Sequence, residues 1–127
     1  MDIYPNNRIR KIVKRTLTSA CKYLCIQRPC LVFVGSYMNC AASSSIDTIY
    51  MGKYFFQGMV DTEGMSMDNY IRFVTLHELA HVYYGHEAQY KDYINDNEEY
   101  KTSPIESEAN ALANYILTER FINKIHP

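Results

Sequence analysis

The stretch TLHELAHVYYGH, residues 75–86, contains His77, Glu78 and His81 in the pattern H-E-x-x-H. On an α-helix, positions i and i+4 lie on one face, so the two imidazoles can hold one metal ion from a rigid element. The glutamate lies one step around the helix, where it can take a proton from water without binding the metal itself. The pattern therefore predicts a Zn²⁺ site with His77 and His81 as ligands and Glu78 as general base.

The segment around this pattern predicts a buried helix. Ser66 and Asp68 are both suitable N-caps, and Gly85 is a suitable residue for the end of the helix. Apolar residues occupy nearly every side of the segment: Ile71, Phe73, Val74, Leu76, Leu79, Ala80 and Val82. Histidines and a glutamate inside such a helix are costly to bury without a partner, and a metal ion is one such partner.

The N-terminal half of the chain predicts one helix and a small sheet. Apolar residues recur at helical spacing over residues 7–26, with arginines and lysines on the other faces. Residues 30–35, CLVFVG, predict a buried strand. A further strand is expected within residues 43–52, centred on Thr48–Met51, with residues 37–42 as a candidate partner.

The C-terminal part predicts a loop followed by a helix. Residues 87–103 are polar, whereas an apolar stripe recurs at helical spacing from about Ile105 to Ile122. We therefore expect residues 1–127 to form a single α+β domain: an N-terminal helix, a sheet of about three strands, a buried H-E-x-x-H helix and a C-terminal helix.

A catalytic zinc site needs a third protein ligand, and three residues are candidates. His86 does not fit the metzincin spacing, which places glycine three and histidine six residues after the second motif histidine; here Gly85 and His86 follow His81 at four and five. Glu106 and Glu108 both lie on the last predicted helix, and helical projection leaves both open as inward-facing residues.

The two motifs TLHELAHVYYGH and ESEANALANYIL resemble those of the ImmA/IrrE group of metallopeptidases. The resemblance implies the same layout of helices and sheet, a metallopeptidase activity, and His77 and His81 as zinc ligands with Glu78 as base. In that family the glutamate directly before the alanine is the third ligand, which implies Glu108 here and leaves Glu106 as a neighbouring carboxylate. Some relatives carry appended DNA-binding or sensor modules, which we do not expect in this chain.

Composition indicates a protein of the cytoplasm without a nucleic-acid or membrane partner. The net charge is −1, although seven Lys or Arg and one acid fall within residues 1–28, where a solvated helix face is the simplest interpretation. The polar N-terminus is not a secretory signal, and no apolar run reaches membrane-spanning length. The four cysteines are expected to be reduced. Their spacings lack the C-x2-C pair of a structural zinc site.

Two functions remain open from the sequence. The first is a narrow-specificity zinc endopeptidase; the resemblance implies a regulatory protein substrate, such as a helix-turn-helix repressor of a stress or mobile-element system. The second is a metal-stabilised binding protein that sequesters a partner without cutting it. For a peptidase, the strand near Thr48–Met51 is a candidate edge against which an extended peptide can bind.

Overall fold

The computed structural model describes residues 4–35, 42–52, 66–86 and 104–123. Helix α1 (Asn7–Leu24) is followed by strands β1 (Cys30–Val34), β2 (Ala42–Ser44) and β3 (Thr48–Gly52), helix α2 (Met67–Tyr84) and helix α3 (Pro104–Ile116), which continues as a π-helical segment (Leu117–Ile122). This order confirms the predicted α+β fold with a small sheet. The predicted loop at 87–103 lies outside the described residues, as do residues 37–41 of the predicted strand partner.

Helix α1 begins after a residue with a capping side chain and ends at a residue in the left-handed conformation. The side-chain oxygen of Asn6 accepts a hydrogen bond from the backbone N–H of Ile9 at 2.9 Å, which caps the first turn. Cys25 follows the last turn with a φ of 58°, the left-handed conformation that commonly ends a helix. The helix buries one stripe, made of Ile12, Val13, Thr16, Leu17, Ala20 and Cys21. The predicted helix at 7–26 is therefore confirmed, with its lysines and arginines exposed.

Strand β3 is the central strand of the described sheet. It pairs in parallel with β1, with Cys30 opposite Thr48, and antiparallel with β2, with Ala42 opposite Met51. The prediction that the strand near Thr48–Met51 offers a free edge is wrong, because both of its sides already carry hydrogen bonds to a neighbour. Strand order depends on contacts between segments that are distant in sequence, so alternation within one strand does not reveal it.

Helix α2 contacts the other two helices, the π-helical segment and two of the three described strands. The Ser66 side chain caps it by accepting from the backbone N–H of Asn69 at 3.2 Å, and Gly85 ends it with a φ of 70°. One side of α2 lies against α1, another against α3, and the helix also contacts β2 and β3. This position confirms that the H-E-x-x-H segment is a buried helix.

The core lies where the three helices meet β3. Its largest fully buried apolar side chains are Leu17, Ile49, Met51, Leu76, Leu79 and Ile116. On α3, the small side chains of Ala109 and Ala113 are completely buried, so this helix can approach its neighbours closely. Every helix in the described ranges is too short or too polar to cross a membrane.

Candidate metal centre

His77 and His81 lie one turn apart on α2 and point their Nε2 atoms at each other. The two Nε2 atoms are 3.1 Å apart, and the imidazole rings are almost perpendicular at 88°. His81 is 4% exposed and His77 is 17% exposed at the side chain. Glu78, the next residue along the helix, is also buried. His77, Glu78 and His81 therefore lie close enough together to bind a metal ion, with one donor atom of each within 4.8 Å of the others.

A carboxylate from α3 meets this histidine pair, and it belongs to Glu106. Its Oε2 atom is 2.9 Å from Nε2 of His77, and its Oε1 atom is 3.5 Å from Nε2 of His81. The Glu106 side chain is only 16% exposed. Viewed down the helix axis, Glu106 points in a direction between those of Ala113 and Leu117, which are both buried. The face of α3 that packs into the core therefore also carries Glu106 into the centre.

Glu108, which the family resemblance implied as the third ligand, occupies a different position. Two residues along an α-helix turn the side chain by about 200°, so Glu106 and Glu108 face nearly opposite directions. The Glu108 side chain is 50% exposed, and its Oε1 atom is 2.7 Å from Nε2 of His86. Its helical neighbours are Leu112, which is half-buried, and Tyr115, which is exposed. The structure thus brings Glu106, and not Glu108, to His77 and His81.

His86 is part of the site although it lies beyond the end of α2. It is completely buried, and its Nδ1 atom is 2.9 Å from Nδ1 of His81. The ring of Tyr84 stacks on it, with ring centroids 5.3 Å apart. The left-handed Gly85 turns the chain back towards the helix, and its N–H bonds to the carbonyl oxygen of Val82 at 3.2 Å.

The sequence contains a signal that points to this contact. In a helix that ends with a left-handed glycine, the residue after the glycine commonly packs against the residue four positions before that glycine. With Gly85 as the glycine, these two residues are His86 and His81. Neither the failed metzincin spacing nor a position past the helix end therefore excludes His86 from contact with a motif histidine.

Negative charge around His77 raises the pKa of its imidazole. Burial by itself lowers this pKa, because it disfavours the charged form of the ring. Hydrogen bonds with Glu106 and Asn110, together with the charges of Glu78 and Glu106, outweigh burial, so the net direction is upward. The same carboxylates attract a metal cation, which must displace the proton because an imidazole binds a metal in its neutral form.

The donor spacing fits a tetrahedral metal ion. Bonds of about 2.0–2.1 Å at tetrahedral angles place ligand atoms about 3.3 Å apart. The separations of 3.1, 2.9 and 3.5 Å among His77, His81 and Glu106 are close to this value. Two imidazole nitrogens this close present lone pairs to each other unless a proton or a cation lies between them. The two imidazoles and one carboxylate therefore suit a single metal ion.

The cysteines that the structure describes lie apart from this cluster. Cys21 is buried in α1, whereas Cys25 and Cys30 are exposed, and all three are free thiols. Cys40 lies outside the described residues. Within the described part of the chain, the group of residues suited to a metal ion is therefore the histidine cluster on α2.

Comparisons of the chain with models of protein families, with curated proteins and with solved structures find no match in any of the three sets. The resemblance to the ImmA/IrrE group therefore rests on the two helical motifs. Their residues do meet in space, because α3 packs directly against α2.

Proposed function

We propose that this chain is a zinc-dependent endopeptidase with narrow specificity for a protein substrate. The observation that carries the proposal is the buried Glu78 beside a cluster of three donors, His77, His81 and Glu106. Structural zinc sites are closed by four protein ligands, whereas catalytic sites use three and keep one position open. A glutamate next to the donors has a use in the second kind of site and none in the first.

The proposed ligands are Nε2 of His77, Nε2 of His81 and the carboxylate of Glu106. Two imidazoles and one carboxylate are a common ligand set of catalytic zinc in peptidases. A bound Zn²⁺ supplies Lewis acidity, which lowers the pKa of water and polarises a carbonyl oxygen. The assignment of Glu106 departs from the family resemblance, and it is supported by the two short contacts that Glu106 makes with the histidines.

Glu78 has the role of general base in this proposal. Its carboxylate takes a proton from the water that attacks the scissile peptide carbonyl, and then passes that proton to the leaving amine. Burial and the rigid helix hold the carboxylate beside the donor cluster, so little reorganisation is needed when substrate binds.

The surroundings of the cluster suit an extended peptide. His77 and Glu106 keep part of their surface exposed, so substrate can reach the donors from solvent. Strand β2 lies at one edge of the described sheet and packs against α2. A substrate segment that adds to this edge as a further strand runs beside the helix that carries the H-E-x-x-H pattern.

The substrate class in this proposal comes from the family resemblance. It is a regulatory protein, such as a helix-turn-helix repressor of a stress or mobile-element system. Such a substrate is recognised through its folded surface as well as through the scissile segment, which is the reason to expect discrete cleavage and not digestion of casein-like bulk protein.

The test of activity is the substitution Glu78→Gln. The amide keeps the shape of the side chain and leaves the metal ligands in place, but it cannot accept the proton, so cleavage should slow by about 10²–10⁴-fold. Each form is co-expressed with candidate helix-turn-helix proteins, and products are followed by mass spectrometry. Glu119→Gln, on an exposed residue of the π-helical segment, is the matched control and should cut at the wild-type rate.

The outcomes separate the peptidase from a sequestering protein. A discrete product with the wild-type chain, and an intact co-purifying partner with Glu78→Gln, support the peptidase. Equal binding of a partner by both forms, with no cleavage by either, rejects it in favour of sequestration. Elemental analysis completes the test, since a catalytic site predicts about one zinc per chain.

A further inference from the structure

A line of three side chains leads away from the metal centre on the side opposite to Glu106. Nδ1 of His81 lies 2.9 Å from Nδ1 of His86, and Nε2 of His86 lies 2.7 Å from Oε1 of Glu108. Both ring nitrogens of His86 therefore have a partner, and the ring is completely buried. A buried imidazole with a partner at each nitrogen has its orientation fixed from both ends.

The positions of the protons along this line follow from the charge at its far end. A carboxylate accepts hydrogen bonds only, so Glu108 requires a proton on Nε2 of His86. The neutral His86 ring then carries a lone pair on Nδ1 and accepts from Nδ1 of His81. His81 in turn keeps its own lone pair on Nε2, the atom that faces His77 and Glu106.

The reverse assignment is unfavourable. A proton on Nε2 of His81 leaves its Nδ1 as an acceptor, so His86 must donate from Nδ1. Nε2 of a neutral His86 ring then presents a lone pair to the Glu108 carboxylate across 2.7 Å. Two acceptors at that distance repel each other, and the burial of His86 keeps water from relieving the contact.

We propose that His86 and Glu108 are positioning residues that hold His81 in the tautomer with its Nε2 lone pair turned to the metal. The inference rests on the proposed metal centre and adds a role for two residues outside the H-E-x-x-H pattern. Metal-binding histidines commonly donate their second nitrogen to a carboxylate or carbonyl. Here the carboxylate of Glu108 acts through His86, which the C-terminal cap of α2 places against Nδ1 of His81.

The proposal assigns Glu108 a role different from that of a direct ligand. A direct ligand contributes to affinity whether or not His86 is present. A residue that acts through His86 contributes nothing once His86 has lost its ring nitrogens. The two roles therefore differ in how substitutions at Glu108 and His86 combine.

The test measures Co²⁺ affinity, because Co²⁺ replaces zinc and absorbs visible light. His86→Leu removes the acceptor from His81 and should weaken Co²⁺ binding by about 10–100-fold. Glu108→Ala is one step further from the metal and half-exposed, so it should weaken binding by up to about tenfold. The double variant should bind no more weakly than His86→Leu alone, and all three should keep the wild-type positions of the visible bands.

Two further measurements separate positioning from simple packing. His86→Asn keeps an acceptor near the position of Nδ1, so its affinity should exceed that of His86→Leu. Long-range ¹H–¹⁵N spectra of the zinc-loaded wild-type protein should place the proton of His86 on Nε2. Glu119→Ala is the exposed control and should leave affinity unchanged. Glu108→Gln changes a half-exposed side chain, so the variant should fold, and it should weaken Co²⁺ binding by less than about tenfold.

The outcomes distinguish this inference from the metal centre on which it rests. Additive losses in the double variant, shifted bands in Glu108→Ala, or a proton on Nδ1 of His86 each overturn the positioning role. Wild-type affinity in His86→Leu overturns it as well, while the metal centre stands. A wild-type protein that binds neither Co²⁺ nor Zn²⁺ removes the metal centre itself.

Discussion

Replacing Glu106 by glutamine tests which carboxylate completes the proposed metal centre. The amide has the same shape but no charge, and it is a poor ligand for zinc. Zinc sites with four protein ligands bind with about 10–16 kcal/mol, or about 2.5–4 kcal/mol for each ligand. Because about 1.4 kcal/mol is a factor of ten, Glu106→Gln should weaken zinc binding by about 10²–10³-fold. Glu108→Gln should weaken zinc binding by less than about tenfold, since Glu108 bonds to His86 and not to His77 or His81 in the described part of the chain.

The assay is competition for zinc against a chromophoric chelator, with each variant at the same concentration and pH. Circular dichroism and thermal unfolding of the metal-free proteins check that both variants fold. Glu119→Gln controls for the loss of one surface charge. A larger loss of affinity with Glu108→Gln than with Glu106→Gln would refute the assignment and restore the ligand implied by the family resemblance.

Three further predictions concern packing, the helix cap and the thiols. Ala109→Leu should lower the free energy of unfolding in urea by about 1–3 kcal/mol and also weaken metal binding, because Ala109 is fully buried on the helix that carries Glu106. The control Ala111→Leu, on the exposed face of the same helix, should stay within about 0.5 kcal/mol of wild type. Equal losses of stability in the two variants would contradict this packing. Gly85→Ala should lower the free energy of unfolding by about 1–2 kcal/mol in the same urea assay. The φ of 70° is strained for alanine, while the space around the added carbon is open. An unchanged midpoint of unfolding would exclude this strain. Burial raises the pKa of the Cys21 thiol, so iodoacetamide at pH 8 should label the exposed Cys25 faster than Cys21 in the native protein. Equal labelling rates for these two thiols would show that Cys21 is accessible.

Local sequence was sufficient for most of the elements. Helices α1 and α2 begin after residues with capping side chains, and α2 ends at a glycine. Each of these signals lies within a few residues of the helix end it marks. The grouping of His77, Glu78 and His81 was equally local, because a single helix places i and i+4 on one face. The burial of α2 was also predicted correctly, because apolar residues occupy nearly every side of this one helix.

Only the tertiary structure decided which other residues join them. Both glutamates of ESEANALANYIL lie on the same helix, and the choice between Glu106 and Glu108 depends on which face of α3 packs against α2. The central position of β3 is another non-local property, since both of its neighbours come from other segments of the chain. The spacing of apolar residues indicates the conformation of one segment. The packing of the whole core decides which other segment each face of that helix or strand contacts. The H-E-x-x-H pattern was therefore visible in the sequence, whereas the side chains that surround it were decided by the fold.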